Sequence, residues 1–263
     1  MENNYDFTIQ RGVSVTKRIK QVKQPRGGYI KPKDLTETTL DGGGADALNP
    51  KESVHASLVG MAVDYLTRLM LGASVEEAFR ISWFGAEMIG EGKKAETLMA
   101  GVTGLDNRSI INGIKLTGFD VCFRSGIMGY KPVDDINPDI DTIENVRVMV
   151  ERALSFFEQY GPKVLDSFTF EGGYSATVST GDGDFTTQDT LWDFKVSKTP
   201  PKKEHTLQLL VYWRMGLHSI HPEFKSIQYL GIYNPRLNTI YRIAVDEIPQ
   251  DVIEQVETEV IGY

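Results

Sequence analysis

The chain has 263 residues, of which 41% are apolar and 24% are charged, the proportions of an ordinary folded globular protein. Its one cysteine, Cys122, excludes a disulfide framework and any zinc or iron–sulfur site that needs several thiolates, as expected in a reducing cytoplasm. No apolar stretch approaches the about 20 residues of a membrane span, and residues 1–10 hold no apolar signal core, so we expect a cytoplasmic protein without membrane contact.

The net charge of −8 is unevenly distributed along the chain. Residues 1–33 hold eight basic and two acidic side chains, whereas the remainder has a net charge of −14. The basic residues are Arg11, Lys17, Arg18, Lys20, Lys23, Arg26, Lys31 and Lys33. A basic segment on an acidic body is typical of contact with a polyanion, and a solvated basic tail without a partner is the alternative.

Three consecutive glycines at positions 42–44 indicate a boundary, because such a run holds no regular element. We therefore predict a basic arm with a glycine-rich linker over residues 1–48, followed by a folded body over residues 49–263. The body opens with a predicted helical part, residues 49–102. Its first helix starts at Asn49-Pro50 and ends at Gly72, and Ser74 with Glu77 forms a capping box for a second helix over about 75–89.

The next segment, residues 103–141, has a weaker pattern. Residues 118–123 are strand-like, and four aspartates follow at positions 134, 135, 139 and 141. We interpret these as an acidic loop and a helix cap by Asp141 with Glu144 rather than a metal cluster, since they lack a fixed ligand spacing. A helix is predicted from there to Gly161.

The remainder alternates strands and helices. We predict strands at 168–170, 174–178 and 191–196, with a glycine-rich turn over 181–185 before the third. A helix over about 202–215, a hairpin of 224–233 with 239–245, and a last helix over 249–260 complete the chain. The predicted class is therefore α/β.

One group of residues in this part indicates chemistry. Asp193 and Lys195 share one side of a strand, Asp184 precedes them by nine positions, and Gln208 and Tyr212 lie four apart on the following helix. Hydrolysis of a phosphodiester needs a hard cation, and magnesium binds one or two carboxylates together with water and phosphate oxygens. Asp184 and Asp193 would supply the carboxylates, and Lys195 would orient the attacking water or stabilise developing charge.

The three motifs Gly181-x-x-Asp184, Asp193-x-Lys195 and Gln208-x-x-x-Tyr212 resemble those of the PD-(D/E)xK nuclease superfamily. The glutamine–tyrosine helix is similar to the RecB-type and lambda-exonuclease-type branch, and the resemblance covers residues 141–245. It implies a restriction-endonuclease-like core, a mixed β-sheet flanked by helices, at about residues 141–263 of a nuclease domain spanning 49–263. It also implies cleavage of nucleic acid with Mg²⁺ or Mn²⁺ as cofactor.

The resemblance implies a third metal ligand as well. Members of the RecB branch often carry a histidine after a glycine on an early helix, and Asp64 stands at the similar place here. Asp64 as a plain surface residue is the alternative. His55 competes for the role, but nine positions separate the two, so they lie on nearly opposite helix faces. Glu171 is a further candidate, with a β-turn before two glycines as its alternative.

The resemblance gives Gln208 and Tyr212 a role in contacting the phosphate or the terminal nucleotide, and hydrogen bonding within the core is the alternative. Three lysines near the site extend its positive charge or solvate a loop. They are Lys198, Lys202 and Lys203.

The sequence thus predicts a metal-dependent nuclease that acts in repair, recombination or defence, with DNA favoured over RNA as substrate. The alternative is a catalytically weak nucleic-acid-binding or protein-interaction module on the same fold. The choice between an exonuclease and an endonuclease stays open. So do a homo-oligomer and a protein partner.

Overall fold

A computed structural model describes residues 12–40 and 48–263. The helices are α1 Val15–Gln21, α2 Ala56–Met70, α3 Val75–Ala78, α4 Arg80–Glu87, α5 Gly92–Met99, α6 Asn107–Thr117, α7 Asp120–Ser125, α8 Ile140–Tyr160, α9 Lys203–His218 and α10 Gln250–Gln255. The strands are β1 Val13–Ser14, β2 Thr36–Thr39, β3 Leu165–Thr169, β4 Val178–Thr180, β5 Asp182–Thr186, β6 Thr190–Phe194, β7 Tyr229–Asn234 and β8 Thr239–Ala244.

Six strands form one mixed sheet in the order β2-β8-β7-β6-β5-β3. The central pair β6–β7 is parallel and its crossover is α9, while the other neighbouring pairs are antiparallel. Strands β1 and β4 form a separate short parallel pair. The expected α/β class, a mixed sheet flanked by helices, is confirmed.

The two faces of the sheet are covered by different helices because side chains alternate along each strand. Trp192 of β6 and Phe185 of β5 pack on Phe156 of α8. Leu191 points to the other face, in the core that contains Leu207 of α9. Asp184 is the neighbour of Phe185 and Asp193 is the neighbour of Trp192, so both aspartates point to the opposite face from those rings, the face that α9 covers.

Helices α2 to α8 form a second core beside the sheet. The predicted capping box of Ser74 and Glu77 is confirmed at the start of α3, and the predicted second helix divides at Phe79 into α3 and α4. Within the described residues, 12–40 and 48–263, no helix is long and apolar enough to cross a membrane.

Five predicted elements differ from the structure. The first helix of the body begins at Ala56 rather than at Asn49-Pro50, and only Val178 of the predicted strand 174–178 lies in a strand. Residues 118–123 lie in helix α7 and the turn before it, where the buried Asp120 accepts hydrogen bonds from Tyr65 and Ser82. The N-cap of α8 is Asp139, whose carboxylate accepts from the Thr142 amide, and not Asp141. The segment 181–185 is mostly strand β5 rather than a turn.

The described part of the predicted arm, residues 12–40, packs on the body. Strand β2 adds to the edge of the main sheet beside β8, and α1 packs on α9. The Arg18 guanidinium donates to the carbonyl oxygens of Val260 and Glu259 near the C-terminus. Arg11 and the three glycines lie outside the described residues.

Candidate active site

Asp184 and Asp193 face each other across two neighbouring strands. Strands β5 and β6 are antiparallel, with Phe185 opposite Trp192 and Thr186 opposite Leu191. The same register, continued by one residue, places Asp184 opposite Asp193. Like charges directly opposite each other destabilise a sheet, so this pair indicates a site built for a purpose other than stability.

The hydrogen bonds of this pair are incomplete. Asp184 Oδ2 accepts a hydrogen bond of 2.7 Å from the Phe194 amide. Asp193 is only 2% exposed, and its Oδ2 is buried without a hydrogen-bond partner. Burial and the negative charge of Asp193 raise the pKa of Asp184 to about 7. The hydrogen bonds that the two carboxylates accept therefore do not neutralise them, and a positive charge beside them would be stabilised.

Lys195 supplies part of that charge. Its Nζ lies 2.9 Å from Asp193 Oδ1, and its side chain is 30% exposed. Burial alone would lower the pKa of the ammonium, but the neighbouring Asp193 and Asp184 raise it, so Lys195 is fully protonated at neutral pH. Lys195 lies one residue beyond the end of β6, and its contact with Asp193 agrees with the prediction that the two side chains share one side.

Helix α9 brings Gln208 and Tyr212 to the same face of the sheet. Gln208 Nε2 donates to Asp193 Oδ1 over 3.3 Å. The Tyr212 ring packs on Phe170, with 4.8 Å between the ring centroids. Burial raises the pKa of the Tyr212 hydroxyl, and Asp193 and Asp184 raise it further, so Tyr212 stays a neutral hydrogen-bond donor.

Gly181 makes room for this arrangement. A Cβ atom at this position would lie 2.8 Å from Val15 Cγ2 and 3.6 Å from Tyr212 Cε1. The first motif therefore includes a glycine because α1 and the Tyr212 ring both approach the backbone there.

Asp64 reaches the site from α2. Its two carboxylate oxygens each accept a hydrogen bond of 3.0 Å from the Arg68 guanidinium, which also donates to Ser167. Ser167 has a φ of 50°, unusual for a residue other than glycine, and its register on β3 places it opposite Asp184. Asp64 is thus part of the cluster, held there by an arginine.

Two of these neighbours were not singled out from the sequence. Arg68 lies four positions after Asp64, the helical spacing of an ion pair, and this signal was available. His205, in the first turn of α9, accepts a hydrogen bond from the Lys202 amide. Burial and then the charge of Lys195 lower the pKa of its imidazole, so His205 adds a neutral ring beside Lys195.

The remaining sequence candidates lie elsewhere. His55 caps the start of α2 by accepting from the Ser57 amide, and Glu171 is exposed in the turn after β3. Lys198 donates to the Pro50 carbonyl oxygen, Lys202 is exposed, and Lys203 lies against Gly28. These three lysines are near α9 but do not touch the carboxylates.

A cleft of about 520 Å³ opens onto this cluster. Asp184 and Tyr212 line it from the sheet and α9, and Asp64, Arg80, Phe123 and Arg124 line it from the helical layer. The cleft gives a ligand in solvent a route to Asp184.

The carboxylates of the cluster are a small donor set for a magnesium ion. Within residues 12–40 and 48–263, no group of three or more histidine, cysteine, aspartate or glutamate side chains is placed to hold a metal, so Asp64, Asp184 and Asp193 do not form a three-ligand group. Magnesium needs only one or two carboxylates. The unpartnered Asp193 Oδ2 and the raised pKa of Asp184 fit that smaller donor set.

Comparisons of the chain with models of protein families, with curated proteins and with solved structures gave no match.

Proposed function

We propose that this protein is a metal-dependent nuclease that hydrolyses phosphodiester bonds of nucleic acid, with DNA as the favoured substrate. The observation that carries the proposal is the pair of facing carboxylates with an ammonium 2.9 Å from one of them. We propose further that the mixed sheet and its helices form a restriction-endonuclease-like core.

In this proposal, Asp184 and Asp193 hold a magnesium ion. When bound, the ion neutralises the phosphate and lowers the pKa of an attacking water. Lys195 is protonated and partly exposed, so it donates hydrogen bonds to a phosphate oxygen and stabilises the charge that develops there.

Gln208 and Tyr212 have supporting roles. Gln208 donates to Asp193 Oδ1, the oxygen that also contacts Lys195, and so fixes the orientation of that carboxylate. Tyr212 lines the cleft as a neutral donor and contacts the phosphate or the terminal nucleotide.

Asp64 has a different role from the other two aspartates in this proposal. Because both its oxygens accept from Arg68, it positions that guanidinium at the cleft instead of binding the ion directly.

The test is cleavage of labelled linear duplex, circular duplex and single-stranded DNA, and of RNA, with magnesium, with manganese and with EDTA. We expect products only with a metal, and their lengths separate an exonuclease from an endonuclease. Lys195→Ala should abolish cleavage, whereas Lys225→Ala, at an exposed lysine on the loop before β7, should not. Binding without cleavage under every condition would favour a catalytically weak nucleic-acid-binding module.

A further inference from the structure

Two phenylalanine rings lie exposed and stacked on the helical layer. Phe84 of α4 is 39% exposed and Phe123 of α7 is 49% exposed. Their ring centroids are 5.8 Å apart and the rings are inclined by 23°. An exposed pair of this kind has no role in a core and indicates a surface that takes a ligand.

The close packing of α4 on α7 places the two rings side by side. A Cβ atom at Gly85 would lie 2.1 Å from the Phe119 carbonyl oxygen, so the backbones approach each other there without an intervening side chain. Trp83 lies next to the pair, with its ring centroid 5.3 Å from that of Phe84.

The ring pair lies at the cleft that Asp64 and Asp184 line and at the cavity beside it. Phe123 lines that cleft with Asp184, and Phe84 lines the adjoining cavity of about 620 Å³. Arg80 lines both spaces. The two rings therefore line neighbouring spaces that share Arg80, along which a ligand chain at Asp184 can extend.

Arginines accompany the rings. Arg124 follows Phe123 in α7, and its guanidinium is ion-paired with Asp120 over 3.5 Å and donates to the Tyr65 hydroxyl over 3.2 Å, while its side chain remains 52% exposed. Arg80 is exposed at the start of α4. Glu76, Glu77 and Glu96 also line the adjoining cavity, so the positive charge of this surface is confined to the two guanidinium groups. Phe84 follows Arg80 by one helical turn and Phe123 directly precedes Arg124, and an exposed aromatic ring near a guanidinium group matches the alternating bases and phosphates of a single strand.

We propose that Phe84 and Phe123 stack unpaired nucleobases at the mouth of the cleft, with Arg80 and Arg124 on the flanking phosphates, so that the substrate enters as a single strand. This inference rests on the proposed function, because the carboxylate cluster is what makes nucleic acid the expected ligand. A base-paired duplex hides its base faces and cannot use this platform.

Further exposed apolar side chains lie close in sequence to the pair, Met88 one turn after Phe84 and Ile127 and Met128 after the end of α7. A protein partner or a second copy of the chain is therefore the competing occupant, and the experiment must separate it from nucleic acid.

The experiment measures binding of a fluorescent single-stranded 20-mer and of a blunt duplex by anisotropy, with the full chain in EDTA. We expect the double variant Phe84→Ala with Phe123→Ala to weaken single-strand binding by about tenfold or more, and duplex binding by less than about twofold. Phe123→Trp, which keeps an aromatic ring, should bind the single strand as tightly as the wild type, whereas Phe123→Ala should bind it more weakly. Met128→Ala, at another exposed apolar side chain, is the control, and the melting temperature of each variant checks the fold.

Unchanged single-strand binding, or equal losses for both ligands, would overturn the platform. A changed oligomeric state in size-exclusion chromatography with light scattering, without a changed affinity for the oligonucleotide, would assign the surface to a protein contact instead. Because no metal is present, this result is independent of cleavage. If the wild type never cleaves DNA but the Phe84→Ala, Phe123→Ala variant loses single-strand affinity, the nuclease proposal is contradicted and the single-strand platform is supported.

Discussion

Asp184 lies directly opposite Asp193 on the neighbouring antiparallel strand, on the sheet face that α9 covers. Only Asp184 lines the cleft and is reached by solvent from it, whereas Asp193 is nearly buried. The two carboxylates share one ammonium, that of Lys195. One negative charge of the pair is therefore not neutralised when both aspartates are ionised, and the predictions on pH dependence and metal binding follow from it.

The contribution of Asp184 to the stability of the metal-free protein should fall as pH rises from about 4 to about 7. The pKa of Asp184 is raised from 3.8 to about 7 in the folded state, so in this range the folded protein holds a proton that the unfolded protein has lost. Asp184→Asn removes this effect. The variant should match the wild type near pH 4 and exceed its free energy of unfolding by up to about 4 kcal/mol near pH 8.

Urea denaturation in EDTA at several pH values measures this difference. Asp246→Asn, at an exposed aspartate remote from the site, is the control and should follow the wild type throughout. A constant offset of Asp184→Asn from the wild type at all pH values would contradict the raised pKa.

Asp64→Asn should weaken metal binding much less than Asp193→Asn does. Both oxygens of Asp64 accept from Arg68, whereas Asp193 Oδ2 has no partner. In calorimetric titrations with manganese we expect a change in Kd of less than about tenfold for Asp64→Asn and a loss of about 100-fold for Asp193→Asn. Equal losses would instead make Asp64 a ligand.

Tyr212→Phe should lower the cleavage rate by about tenfold and leave the melting temperature nearly unchanged. The substitution keeps the ring that packs on Phe170 and removes only the hydroxyl beside the carboxylates. A rate equal to the wild type with a lowered melting temperature would give the hydroxyl a purely structural role.

The exposed lysines of α1 should contribute to nucleic-acid affinity through salt-dependent contacts. Lys17 and Lys20 lie on the helix whose first turn lines the cleft. Replacing both by glutamine should flatten the slope of log K against log salt for duplex DNA by about 1 to 2, since each phosphate contact contributes about −0.9. Lys225→Gln should leave the slope unchanged, and an unchanged slope for the double variant would contradict the polyanion interpretation. Deleting residues 1–40 is unsuitable as a test because β2 belongs to the main sheet.

The local sequence pattern was sufficient to place Asp193 on a strand, with Lys195 just beyond its end. It also placed Gln208 and Tyr212 on the helix that follows. It failed at Asp184, because the two glycines before it, Gly181 and Gly183, indicated a turn. Gly183 instead leaves space for the Phe168 ring, which a Cβ atom would meet at 2.3 Å. That contact comes from the neighbouring strand and has no local signal.

The helix α7 was missed for a similar reason. Its residues look strand-like, but the structure buries Asp120, whose carboxylate accepts hydrogen bonds from Tyr65 and Ser82, two residues distant in sequence. Tertiary contacts therefore override the local pattern here. The edge strand β2 is short, polar and fully exposed, so it offers no hydrophobic alternation to recognise.

The most direct test of the proposed nuclease compares the single-turnover cleavage rates of the wild type and Asp193→Asn on a labelled single-stranded oligonucleotide at saturating magnesium. The substitution keeps the shape of the side chain and removes one of the two facing charges. We expect the wild type to cleave and Asp193→Asn to lose at least about 100-fold in rate, with circular dichroism unchanged. A variant that cleaves at the rate of the wild type would contradict the assignment of this carboxylate pair as the active site.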